Sequence, residues 1–134
     1  MQVETLFSLT LPNKVADMQE WIKIIGLSPL SFCVKGQRVS DKPHARISEE
    51  PFMTSGIRRQ KESTVETQVN KLIDQLYTRR AEINHLVNTL DLEVNCASFA
   101  WAGENKELVA NFDAGTLKKI TELGSDFSLT RYRY

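Results

Sequence analysis

This sequence has little of what usually announces a chemistry. There are two cysteines in 134 residues, Cys33 and Cys96, and no CxxC pair. Two thiols do not build a zinc site, and each lies in an apolar, strand-like run, so both read as buried free thiols. Histidine is as scarce. His44 and His85 fall in different elements, and neither has a cysteine or a second histidine at metal-ligand spacing. Net charge is missing too, with 17 basic and 17 acidic residues. A strongly basic chain would point to nucleic acid and a strongly acidic one to a basic partner; this balance favours neither. No run approaches the ~20 apolar residues of a membrane span. The opening Met1-Gln2-Val3-Glu4 lacks the basic residues of a secretory signal, and Ser8, Thr10 and Pro12 break the apolar run behind it. The location expected from these absences is the cytoplasm.

Catalytic motifs are absent as well. The sequence contains no phosphate-binding GxxxxGK, no dinucleotide GxGxxG, no esterase GxSxG and no zincin HExxH. Glu49-Glu50 is the only adjacent acidic pair, and neighbouring side chains diverge rather than form a carboxylate dyad. His44 could serve as a base, but no nucleophile is indicated beside it. No enzyme activity, cofactor or metal is therefore expected.

What is present is periodicity. The length fits one domain, residues 1–134, with a core that needs no staples. In VETLFSLTL, Val3, Thr5, Phe7, Leu9 and Leu11 share one face, which reads as a half-buried strand. Pro12-Asn13 ends it. Val15, Met18, Ile22 and Ile25 then recur at helical spacing up to Gly26, with Phe32 to Val34 as a second strand. A further strand is expected around Phe52 to Ile57. Ser63-Thr64-Val65-Glu66 is a capping box, and the stripe Val65, Val69, Leu72, Leu76, Ile83, Leu86, Leu90 predicts one helix of about 27 residues, roughly 40 Å long. Arg79 is the one polar seam position, expected at the stripe's edge or paired with Glu82. His85 falls away from the stripe and reads as exposed.

In LEVNCASFAW, Leu92, Val94 and Cys96 alternate in one phase and Phe99 and Trp101 in the other, which suggests a two-sided strand or a bulge near Ser98. Leu108, Ala110 and Phe112 read as its returning hairpin partner. Asp113 caps a short helix with Leu117, Ile120 and Leu123 inward, and Phe127 onward forms a last strand. The fold class is α+β: a mostly antiparallel sheet of five or six strands with one long helix and two short helices packed on it. Both tryptophans, Trp21 and Trp101, read as core.

Charge is balanced overall but unevenly placed. Residues 35–61 hold Lys35, Arg38, Lys42, Arg46, Arg58, Arg59 and Lys61 against Asp41, Glu49 and Glu50, a net +4 that leaves −4 elsewhere. This stretch reads as a long charged connection and the best partner surface in the chain. Its aromatic content is limited to Phe52, too little for stacking nucleic acid bases. At the C-terminus Arg131 and Arg133 alternate with Tyr132 and Tyr134, making one aromatic and one cationic face. The candidate partner-binding residues are Lys35, Arg38, Arg46, Arg58, Arg59, Arg131, Arg133 and Tyr134.

Three patterns occur in order: Ile25-Gly26-Leu27-Ser28-Pro29 after a strand and helix, Lys35-Gly36, and a final helix with Leu117, Ile120, Leu123 and Gly124 before the last strand. Together they resemble a family of small bacterial domains catalogued only as a domain of unknown function. The resemblance implies an α+β fold and supplies no catalytic residues. In type, though not in motif, the chain is similar to the immunity proteins of contact-dependent or polymorphic toxin systems. The expected function is neutralisation of a cognate toxin domain by protein–protein contact, with a small-molecule-binding or regulatory domain as the alternative.

Overall fold

Strict alternation in the first ten residues gives the strand on which everything else is laid. In the computed structural model, which describes residues 1–10, 23, 29–33, 52–61, 63–103, 108 and 110–133, β1 (Gln2–Thr10) buries Val3, Thr5, Phe7 and Leu9 and leaves the intervening side chains half-buried on its other face. It is the middle strand of the sheet. Its neighbours are β3 (Phe52–Lys61) and β4 (Glu93–Ala102), both antiparallel to it. β5 (Asp126–Arg133) lies beyond β4 and runs parallel to it. Four long strands thus form a mixed, mostly antiparallel sheet, and the short β2 (Pro29–Cys33) extends it at the β3 edge, giving the order β2-β3-β1-β4-β5.

Three of the described helices pack on the face that carries Val3, Phe7 and Leu9. They are α1 (Val65–Tyr77), α2 (Arg80–Leu90) and α3 (Ala114–Glu122). Leu72, Ile73, Leu76, Ile83 and Leu123 close the core against the sheet with almost no exposure. Each such side chain contributes about 1.5–3 kcal/mol by leaving water. The class expected from sequence, α+β, is the class found. The helix expected from Asn13 to Gly26 lies outside the described residues, save Lys23, which is helical and exposed.

Several expectations need correction. The single long helix is two. At Thr78 and Arg79 the Thr78 hydroxyl donates to the Gln75 carbonyl (2.8 Å) and the Arg80 guanidinium to the Tyr77 carbonyl (3.0 Å). Those side chains occupy carbonyls that a continuous helix would give to the backbone. The Arg79 N–H turns instead to the Leu76 carbonyl, a tighter turn. Arg79 is exposed there, with no ion pair to Glu82.

Among the described residues no hairpin strand returns after β4. Leu108 and Ala110 to Asp113 are irregular, and the Asn111 N–H donates to the Glu66 carboxylate (2.7 Å) rather than to a ladder. Phe112 meets Phe127 edge-to-face at 5.0 Å. The chain crosses over the helical side through α3 and returns parallel, as a parallel pair requires. Of the two readings of β4, the two-sided strand holds and the bulge near Ser98 does not. β4 pairs with β1 without interruption, and Val94, Cys96, Ser98, Ala100 and Ala102 all face the core.

The irregularity lies elsewhere. Val3 pairs with Gln60 and Thr5 with Ile57, so the single residue Glu4 is opposed by two, Arg58 and Arg59. This is a β-bulge in β3.

A candidate interaction surface at one end of the sheet

The end of the sheet where β1 begins gathers the last residues of β3, β4 and β5. In register, Lys61 lies opposite Gln2, Gln2 opposite Trp101, Trp101 opposite Tyr132, and Ala102 opposite Arg133. Residues 58–61, expected in a loop, are therefore strand. Alternation sends Phe99 and Trp101 to the face away from the three helices, and Tyr132 joins them there. Trp101, expected in the core, is half-buried on this outer face instead.

The rings form a stack. Trp101 and Tyr132 lie 5.2 Å apart with planes 19° from parallel, and Phe99 and Tyr132 are 6.2 Å apart at 22°. The Arg59 guanidinium covers Trp101, its central carbon 3.5 Å from the ring centroid. Each aromatic pair contributes about 0.5–1.5 kcal/mol beyond area burial, and an exposed cation–π contact about 0.5–1 kcal/mol. Tyr132 remains 44% exposed. Arg58 and Lys61 lie on either side of Arg59 in β3, whereas Arg131 and Arg133, paired with Ala100 and Ala102, take the opposite face of the same end; all four are exposed. Arg131 donates to the Gly103 carbonyl at 2.6 Å. None of these five cations has an ion pair among the described residues.

Of the candidates read from sequence, Arg58, Arg59, Arg131 and Arg133 reach this end of the sheet from two distant segments, Arg131 and Arg133 on the face opposite the stack. Lys35, Arg38, Arg46 and Tyr134 lie outside the described residues, as does His44. Sequence reasoning missed Phe99 and Trp101 as surface groups. Their signal was present in the phase switch along β4.

Other polar groups serve the scaffold. Tyr77 donates to the Glu122 carboxylate, which raises the Tyr77 pKa, and Lys119 holds Asp74 at 2.8 Å, which raises the Lys119 pKa. Asn84 donates to the Glu122 carbonyl and Thr116 to Asn70, tying α3 to α1 and α2. Asp113 accepts from the Thr116 N–H at the start of α3, which lowers its pKa. At the far end of the sheet an open cleft of 580 Å³ is lined by Ser8, Thr10, Glu93, Asn95 and Asp126, with Leu92, Val94 and Gly124. Among the described residues no group of His, Cys, Asp and Glu could hold a metal ion. No described helix is long and apolar enough to cross a membrane. His85 is exposed, as read from the sequence.

Cys96 is a free thiol with no exposure, and burial pushes its pKa up to about 12. A thiol-specific reagent at neutral pH should leave Cys96 unmodified in the folded chain and label it in denaturant. Labelling at equal rates in both states, followed by peptide mass spectrometry, would refute its burial.

A family model for a domain of unknown function, DUF4279, matches residues 3–134. The chain belongs to the DUF4279 family. The match takes in every described strand and helix, both segments of the cationic end included. As a DUF4279 domain the chain inherits no assigned activity or site, so any functional reading rests on its own residues. No curated protein and no solved structure matches it.

Proposed function

We propose that this DUF4279 domain is a binding protein that docks an acidic face of one partner protein through the cationic, aromatic end of its sheet. Its specific task on this reading is the neutralisation of a cognate toxin domain. The observation that carries the docking surface is the Arg59–Trp101–Tyr132 stack, with Arg58 and Lys61 next to it in β3 and Arg131 and Arg133 on the other face of the same end, none of them in an ion pair among the described residues. Arginine, tryptophan and tyrosine are the residue types that dominate binding energy at protein interfaces. An arginine already laid flat on a ring loses little side-chain freedom on docking. Unmatched cations favour a partner of opposite sign and speed its approach at low salt.

The test begins with the tagged chain, isolated from its native cells, and mass spectrometry of any stoichiometric partner. Co-expression with that partner must protect cells from it. Arg59→Glu and Tyr132→Ala should each weaken the purified complex about 30-fold, the size of an interface hot spot. Affinity unchanged by both variants would remove this end of the sheet as the docking surface. A partner whose toxicity the chain does not relieve would refute neutralisation.

A further inference from the structure

Arg59 reaches the outer face only because β3 is bulged. From Leu6–Gly56 and Thr5–Ile57, a regular ladder would continue as Glu4–Arg58 and Val3–Arg59. Paired residues share a face, so Arg59 would then enter the core side beside Val3, which has no exposure. The extra residue instead puts Gln60 opposite Val3 and turns Arg59 outward onto Trp101.

A buried polar chain spans that irregularity. Gln68 of α1 is 1% exposed, and Thr5 and Ser98 have no exposure. The Gln68 amide donates to the Val3 carbonyl at 2.7 Å and to the Gln60 side-chain oxygen at 3.4 Å. Its own oxygen accepts from the Thr5 hydroxyl at 2.9 Å, and Thr5 and Ser98 are joined at 2.8 Å. Gln68 thus grips both flanks of the bulge on β1 and the residue that follows it on β3. Among the described residues no buried side-chain polar atom lacks a partner. The bond to Gln60 is the one in this polar chain that reaches β3, and any other register of β3 would carry Gln60 away from the Gln68 amide and lose it.

We infer that Gln68, held by Thr5 and Ser98, is a positioning residue: it fixes the register of β3 against β1 and thereby delivers Arg59 to the stack on Trp101. This deepens the proposed docking surface, yet it is tested on the free chain, so its failure is separate from the absence of a partner.

The readout is the upfield ring-current displacement of the Arg59 side-chain protons by NMR, identified by its loss in Trp101→Leu. Gln68→Met keeps helix propensity and approximate volume while removing the amide. The expected result is a cooperatively folded protein in which that displacement is lost. Retention of the displacement in folded Gln68→Met would overturn the inference. If Gln68→Met does not fold, the pair Thr5→Val and Thr5→Ser decides. Loss with valine and retention with serine supports the role of the hydroxyl chain; both variants behaving alike overturns it.

Discussion

Gly56→Ala is expected to cost about 3 kcal/mol or more of folding stability, the upper range for forcing atoms into a packed site. An alanine Cβ at Gly56 would lie 2.1 Å from the Thr5 carbonyl oxygen and 2.9 Å from the Leu6 Cα. Both are backbone atoms, so no side-chain rotation relieves the clash. β1 cannot retreat either, because β4 pairs along its other side from Gln2 to Thr10. The glycine also sits at φ +155°, where a side chain adds strain. The melting temperature should fall by on the order of 10 °C. A midpoint within about 2 °C of the parent would mean that β3 does not approach β1 this closely.

Phe7→Ala is expected to cost about 4 kcal/mol. Phe7 has no exposure and lies mid-strand in β1, between Ser55 of β3 and Cys96 of β4. With strands on both sides and helices above, the site cannot collapse onto the missing ring, so a cavity term adds to the lost transfer energy. Leu117→Ala is the matched control. Leu117 is 50% exposed on α3 and should change stability by less than about 0.5 kcal/mol. Urea denaturation of both variants measures the contrast. Equal losses would place Leu117, not Thr116, on the packed side of α3.

That control touches a place where periodicity misled. Leu117, Ile120 and Leu123 read as the inward stripe of the last helix. In the structure Ile120 and Leu123 are buried, but the third inward position belongs to Thr116, whose hydroxyl donates to Asn70. Hydrophobic pattern cannot register a polar residue that turns inward because a hydrogen-bond partner waits there. Thr5, Gln68 and Ser98 escaped as packing determinants for the same reason. Thr5 was placed on the inward face of its strand, yet nothing local links it to residues 63 and 93 positions away.

The sequence by itself determined the α+β class, the inward faces of β1 and α1 and the burial of Cys96. It located the start of α1 to within one residue: the capping box read at Ser63 to Glu66 gives way to a cap at Thr64, with Glu66 turned to the Asn111 N–H. These depend on period and on local hydrogen bonds within a turn or two. Only the tertiary structure decided the parallel return of β5 and the bulge that turns Arg59 outward onto Trp101. Each of these is settled by where a backbone or side-chain polar group finds its partner. The ladder partners of β5 and the contacts of Arg59 come from segments distant in the chain. One residue of slip in β3 reverses the face its side chains take, and no short stretch of sequence carries that information.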